Sequence, residues 1–400
     1  MLSTPSSEYY SITDANNLLA DVDNDSIFLF HCNIRSLAKN FELLHDLLYC
    51  FDNIPDAIAV TETRINCNSS ANIDLPNYKF YCTDSKTMAG GVGIYISSSL
   101  NAIHRSALSF NSVEAKSCWI EILLEHKPRI IVGCIYRHPS SNLDNFISQL
   151  ENLVSPLNQS KHQFFILGDM NIDFLRVGTH SKTEDYLDML YSSNLLPVIT
   201  KPTRITSHTA TLIDHIHTNA SFDQIIPGIV TTDISDHLPT FCFIRRQITR
   251  LKPKRFFRDY LNFDSKTYLN DIKSVDWSSI LNDPTDIHTK ASSFVEKLKG
   301  IANKHAPIKR IPRSRLKQKI QKPWITDTLL NSIRNKQKMY RTHFLSKDLD
   351  KVTYYKKYSN TLNKLKWTCK SSYYKQQFEL NKNNLKKCME VNWHPYKQET

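Results

Sequence analysis

Short apolar runs capped by one polar residue recur through the first 240 positions. The run 27–32 ends at Asn33, 57–61 runs into Glu62, and 130–135 ends at Tyr136. The run 164–168 leads to Asp169 and Asn171, and Asp236-His237 opens the run 238–244. Runs of this length bounded by turn formers predict buried strands, and further strands are expected at 92–97, 119–124 and 211–217. Helical spacing appears between them. Residues 36–52 place Leu37, Phe41, Leu44, Leu47 and Leu48 on one face behind Ser36 as N-cap, 142–157 repeats the pattern, and 183–195 gives a third helix. Strands outnumber the helices that separate them. That alternation predicts an α/β (α+β) architecture of two packed sheets flanked by helices.

The pattern changes after Ile244. Residues 251–400 hold 33 of the 51 basic residues and 13 of the 39 acidic ones, so they carry +20 while the first 250 carry −8. The expected organisation is a loose polar tail at 1–26, a catalytic domain at 27–246, a basic linker with a small helical region at 247–322, and a basic helical extension at 323–400. Trp277 and Phe294 are expected to anchor the small region, and 309–322 to be a linker. Long helices are expected at 326–345 and 351–388, with 354, 358, 362 and 365 on one face. Aromatic and lysine residues interleave at 351–378, which suits a polyanion-binding surface and equally a helix packed through its rings. The extension is expected to raise nucleic-acid affinity without carrying chemistry.

Nine cysteines, none in a CxxC pair and several inside apolar runs, point to reduced core thiols of an intracellular protein. The first 26 residues carry acids and no basic residue, unlike a signal or transit peptide. No stretch approaches the ~18 apolar residues of a membrane span. Neither GxxxxGK[ST] nor GxSxG occurs, which disfavours a nucleotide-cradling loop or a nucleophile elbow.

Strand tips gather at sheet edges, so these polar residues form a candidate site. Glu62 offers a carboxylate for a hard cation, with Asn33 beside it. Asp169 and Asn171, two apart, face the same side of an extended segment and can orient water or a phosphate oxygen. His237 is the natural proton acceptor, Asp214 the best partner to fix its tautomer, and Tyr136 a hydroxyl for the phosphate. His208, His215 and His217 raise a transition-metal alternative, though alternate histidines on one strand face are commonly just exposed.

Asn33, Thr61-Glu62-Thr63, Tyr136-Arg137-His138-Pro139, Gly168-Asp169-Met170-Asn171, Leu212-Ile213-Asp214-His215-Ile216 and Ser235-Asp236-His237 stand in the order of the endonuclease/exonuclease/phosphatase motifs. The chain resembles that superfamily, and within it the endonuclease of non-LTR retrotransposons; Thr200-Lys201-Pro202-Thr203-Arg204 fits that branch. Lys322-Pro323-Trp324-Ile325-Thr326 resembles the segment that joins such an endonuclease to a reverse transcriptase.

The resemblance implies a four-layer α/β/β/α sandwich of the deoxyribonuclease I type and Mg²⁺-dependent nicking of DNA, with Mn²⁺ as a substitute. It makes Glu62, Asn33 and Asp236 the metal residues and His237, Asp214, Asp169, Asn171 and Tyr136 the catalytic ones, leaving open whether His237 or Asp169 is the base. Arg35, Arg137, Thr203, Arg204, Thr211 and Ser235 are expected to contact DNA. The implied partners are duplex DNA and, through the extension, element RNA, with no membrane and with the nucleus as the place of action; oligomeric state stays open. Abasic-site repair members carry an acid where Arg35 stands and a tryptophan near Thr211, so undamaged DNA is the expected substrate. Phosphatases of inositol phosphates, sphingomyelinases and a non-catalytic nucleic-acid-binding remnant are the rival readings.

Overall fold

The computed structural model describes residues 7–20, 26–65, 73–83, 90–124, 128–158, 162–206, 208–245, 256–261, 263–281, 286–310, 322–344 and 348–382. Two compact units emerge, one of Met1–Leu251 with Gln321–Thr400 and one of Lys252–Ile320. The larger is built on two sheets. The first runs β1 (Glu8–Tyr10), β14 (Ile225–Val230), β15 (Thr240–Ile244), β2 (Ile27–Asn33), β3 (Ala57–Thr61), β5 (Val92–Ser97), β4 (Tyr78–Thr83). The second runs β10 (Leu196–Pro197), β13 (Asp214–Thr218), β9 (Gln163–Asp169), β8 (Ile130–Arg137), β7 (Ala115–Ile122), β6 (Ala102–His104).

Period-two alternation makes the layers. Leu29, Ala59 and Ile94 of the first sheet meet Ile120, Val132, Phe165 and Leu167 of the second in one buried cluster. The intervening positions Phe28, Phe30, Ile58, Val60 and Tyr95 face outward under α1 (Ile12–Ala20) and α2 (Leu37–Tyr49). Ser36 caps α2, its hydroxyl accepting from the Lys39 amide at 3.4 Å. On the far side Ile131, Ile135, Phe164 and Ile166 pack with Phe146, Leu150 and Val154 of α3 (Leu143–Asn158) and Tyr186 and Leu190 of α4 (Ser181–Ser192). The result is the expected four-layer α/β/β/α sandwich.

Several elements differ from expectation. The N-terminal segment is not loose: β1 adds to the first sheet parallel to β14, and Ser7 and Tyr9 bond to Thr200 and Pro202. Residues 1–6 and 21–25 lie outside the described residues. The strand expected at 211–217 is broken into β12 (Ala210–Thr211), which pairs with β11 (Arg204–Ile205), and β13. Thr203 Oγ1 accepts from the Ile213 and Asp214 amides at 3.3 and 3.0 Å, and this turns the chain between the two pieces. β14 gave no strand signal because Pro227 and Gly228 interrupt it. The seven described cysteines are free thiols, five of them buried; Cys67 and Cys388 lie outside the described residues.

The smaller unit holds α5 (Ser265–Lys273), α6 (Trp277–Leu281), α7 (Ile287–His305) and an antiparallel pair of β16 (Phe256–Arg258) with β17 (Ile308–Arg310) that brackets them. Trp277 and Phe294 contact ring to ring at 5.1 Å, though Phe294 keeps 38% of its surface exposed. The expected linker falls mostly on 311–321, outside the described residues.

The basic extension belongs to the larger unit. Trp324, Ile325 and the helices α8 (Asp327–Phe344) and α9 (Leu349–Asn381) close the first sheet's helical layer: Leu329, Leu330, Ile333 and Leu362 share a cluster with Phe28, Leu44 and Leu47. The buried face of α9 is rotated from the expected one. Tyr355, Tyr358, Leu362, Cys369 and Tyr373 turn to the protein, and Tyr354 and Leu365 are exposed. Lys366, on the same face, pairs with the buried Asp46. Among the described residues no helix is long and apolar enough to cross a membrane.

Candidate active site

Register assembles the site. In the second sheet Tyr136 pairs with Asp169, and Asp169 with Asp214, so the ends of β8 and β9 and the start of β13 lie in one row. In the first sheet Asn33 pairs with Thr61, and Glu62 follows. Loop 231–239, between β14 and β15, brings Ser235, Asp236 and His237 to the same edge. Gly168 makes the row possible: a Cβ there would stand 1.8 Å from the Ile135 carbonyl oxygen.

Asn33 joins the two sheets, its Nδ2 donating to Glu62 Oε1 at 2.9 Å and Asp169 Oδ2 at 2.8 Å. His237 Nδ1 lies 2.9 Å from Asp214 Oδ2 and 4.0 Å from Asp169 Oδ2. Hydrogen bonding at Nδ1 engages one ring nitrogen with Asp214 and leaves Nε2 outside that bond. Thr203 Oγ1 donates to the same Asp214 oxygen at 2.7 Å, while the buried Asp214 Oδ1 has no hydrogen-bond partner.

Electrostatics separate the two aspartates. Burial and the charge of Asp214 push the Asp169 carboxyl well above the usual carboxylate range. Burial would raise Asp214 too, but the adjacent His237 holds it low. Burial alone would lower His237; Asp214, then Asp169 and Asp236, carry it instead to about 9. Burial, with Glu62 and Asp169 nearby, raises the Tyr136 phenol, so it keeps its proton as a donor.

The backbone is strained around this cluster. Arg35, Glu62 and Arg64 have φ of 52°, 51° and 52°, and Asn171, of a type that tolerates this region, has 49°. Away from the site, Asn77 and Asn194 in the left-handed region are of the type that tolerates it. Arginine and glutamate there cost about 1 kcal/mol or more each, and strain held in this way clusters at functional sites.

Ligand atoms of Glu62, Asp169 and His237 lie within 4.8 Å of one another. A set weighted to carboxylate oxygen fits a hard divalent cation better than a thiolate-binding one. Asn33 turns its amide nitrogen to both carboxylates, and its Oδ1 accepts from the Arg35 amide at 3.2 Å; oxygen and nitrogen are assigned by these partners. Asp236 departs from its expected place. Its oxygens are taken by Arg35 at 2.9 Å and Arg204 at 2.8 Å, outside the Glu62–Asp169–His237 cluster.

Of the residues expected on DNA, Arg137 and Thr203 are buried, and the half-buried Ser235 is bonded within the protein. Arg137 is buried and donates to the carbonyls of Met170, Asn171 and Ser141 at 2.7, 2.9 and 3.1 Å, holding the turn after Asp169. Thr203 is spent on Asp214. Ser235 Oγ donates to the Asn33 carbonyl at 2.7 Å and ties the His237 loop to β2. Thr211 gives its carbonyl to the Thr203 amide at 2.9 Å. Arg35 and Arg204 stand half-exposed at the rim. Asn171 Nδ2 donates to the Arg137 carbonyl at 2.8 Å.

Arg64, paired with Glu62 at 3.3 Å, went unremarked in the sequence although it follows the Thr-Glu-Thr triplet directly. His215 and His217 are buried rather than exposed, stacked 5.3 Å apart and bonded to the Ile172 carbonyl and the Tyr186 hydroxyl; burial lowers both pKa values. They form a neutral core pair, and His208 lies on an exposed turn.

A sequence model of the Endonuclease/Exonuclease/phosphatase family matches residues 30–237, more than half of the chain and from β2 to His237. The chain belongs to that family. No curated protein matches it. Among solved structures it is similar to the endonuclease domain of TRAS1, a telomere-specific non-LTR retrotransposon, at 14% identity and a TM-score of 0.43 over 56% of this chain and 99% of that one. It is also similar to the AP endonuclease LMAP from Leishmania major, at 14% identity and a TM-score of 0.47 over 57% of this chain and 90% of that one. The 3'-5' exonuclease NExo from Neisseria meningitidis aligns at 16% identity and a TM-score of 0.44 over 55% and 100%. For this Endonuclease/Exonuclease/phosphatase member the matched span ends where the basic C-terminal third begins.

Proposed function

We propose that the chain is a Mg²⁺-dependent DNA endonuclease that nicks undamaged duplex DNA, in the manner of a non-LTR retrotransposon endonuclease. One observation carries the reading: Glu62, Asp169 and the Asp214-bonded His237 converge at one sheet edge, with Glu62, Asp169 and His237 ligand atoms within 4.8 Å of one another; beside it, Asp214 is held low while Asp169 is pushed up. Two carboxyls with pKa values driven apart mark an orienting group and a proton-exchanging group. Asp214 fixes the imidazole, and His237 presents a protonated Nε2 to a phosphate oxygen. Asp169, held by Asn33 and the Asn171 amide, exchanges the proton with the attacking water or leaving oxygen.

Glu62 would hold Mg²⁺, or Mn²⁺ in its place, and the ion would neutralise charge on the phosphate. Tyr136 donates its hydroxyl toward the same phosphate. Arg35 and Arg204, which share Asp236, are the rim cations that turn to flanking phosphates. The exposed Lys357, Lys364, Trp367 and Lys375 of α9 offer a further surface for DNA or element RNA, and access to chromosomal DNA requires a nuclear location.

The test is a supercoiled-plasmid nicking assay with Mg²⁺, with Mn²⁺ and with chelator, run beside inositol phosphate and sphingomyelin substrates. Open circles formed only with metal support the reading. Turnover of a non-nucleic substrate without nicking assigns another phosphoesterase, and binding without turnover a remnant.

A further inference from the structure

The loop carrying His237 is gripped from outside the family's matched span. Asp233, four residues before His237, accepts from the Tyr355 hydroxyl of α9 through Oδ2 and pairs with Lys336 Nζ of α8 at 2.9 Å through Oδ1. The Lys336 side chain is 7% exposed. An ammonium so enclosed persists only with a partner acid, and an apolar pair of the same volume would pack at least as well. The ion pair therefore adds direction rather than bulk.

Around it the fit is close. Ile234 lies in one cluster with Ile333 and Leu362, and the void among Asp46, Asp233, Ile234, Lys336 and Leu362 is about 10 Å³, no more than one water. Tyr340, one turn beyond Lys336, packs at 5.5 Å on Tyr355. Ahead of His237 the loop is fixed by Ser235 to the Asn33 carbonyl. The loop is thus held from two directions, by the site through Ser235 and by the C-terminal helices through Asp233.

We infer that Asp233 is a positioning residue, through which α8 and α9 set the placement of His237. The C-terminal helices α8 and α9 are then a working part of the active site and not solely an affinity extension. The catalytic consequence rests on the function proposed above; the holding of the loop does not.

The experiment compares full-length wild type, Lys336→Met/Tyr355→Phe and Asp233→Asn by amide hydrogen exchange and by plasmid nicking. Exchange at 233–238 is expected to quicken about tenfold or more in the variants, with β2 and β15 unchanged. The value of kcat is expected to fall about tenfold with KM within about twofold, because positioning acts on the transition state and not on DNA binding. Tyr355→Phe alone, which removes one hydroxyl and keeps the ring, carries the test if the double variant does not fold. Unchanged exchange across the loop overturns the inference, as does quickened exchange with unchanged kcat in an active protein. A wild type that hydrolyses no phosphodiester removes the proposed function, and the exchange comparison then decides alone whether α8 and α9 hold the loop.

Discussion

Asp169 and Asp214 face each other across the β9–β13 register, yet one carboxyl is driven up and the other down. His237 makes the difference: its Nδ1 is 2.9 Å from Asp214 and 4.0 Å from Asp169. Shorter distance selects which aspartate shares the imidazole's proton, and the function proposed above gives the other its exchange with substrate.

That arrangement predicts non-additive losses. His237→Ala should lower kcat by about 10²–10⁴-fold, the usual contribution of a proton-transfer group. Asp214→Asn should lower it less, and the double variant should be no slower than His237→Ala alone. Titration of His237 by NMR should show its pKa falling from about 9 in Asp214→Asn. Losses that multiply would mean that the pair does not act as a unit.

Glu62→Ala should abolish Mg²⁺-dependent nicking and weaken metal binding measured by calorimetry, with the fold intact. Its left-handed φ of 51° makes alanine no better suited to that backbone than glutamate, so no large gain in stability should accompany the change. Unaltered metal affinity would move the cation to other ligands.

Discrimination against damage should be weak. With Arg35 at the rim and Thr211 in the β11–β12 hairpin, a synthetic abasic site should give less than a tenfold advantage in kcat/KM over undamaged duplex, about 1.4 kcal/mol. A thousandfold preference would place the protein in DNA repair.

Acid should destabilise the fold through its buried histidines. Burial lowers His31, His45 and His215 to about 4, and His217 well below its ordinary value. Because these folded pKa values lie below the unfolded one, the unfolded chain binds more protons between about pH 6.5 and 4, and stability falls as pH drops through that window. Each such group contributes at most about 1.4 kcal/mol per pH unit. Asp169 opposes this, since its raised carboxyl lets the folded state take the proton first. His237, raised to about 9, contributes stability that is complete below about pH 6.5 and lost as pH rises through 9. Tm measured from pH 4.5 to 9.5 should peak near neutrality; a Tm that climbs on acidification from 6.5 would show the histidines accepting protons while folded.

Much of this was legible in sequence because strand tips and site residues coincide. Asn33, Glu62, Tyr136, Asp169 and His237 end or open apolar runs, so finding the strands found the cluster. Residue type alone did not separate a group that meets substrate from one that holds it. Arg137, Thr203 and Ser235 stand inside the motifs, but their partners are backbone carbonyls and Asp214, visible only once β8, β9 and β13 are in register. Asp236 belongs to the Asp-His pair by sequence and to two arginines by geometry. The C-terminal helices were read by periodicity, while their seat depended on Lys366 finding Asp46 and Lys336 finding Asp233, separations no local pattern encodes.

The larger unit is discontinuous, closed by helices made after the smaller unit has been synthesised. On a ribosome, the strands that carry Phe28, Phe30 and Phe243 emerge long before Leu329, Ile333 and Leu362, which complete the cluster over them. Roughly 117 residues separate the end of β15 from Leu362, which at about 5–20 residues per second leaves that apolar face incomplete for roughly 6 to 23 s. Throughout this interval the apolar face carrying Phe28, Phe30 and Phe243 lacks the side chains that complete its cluster in the finished protein.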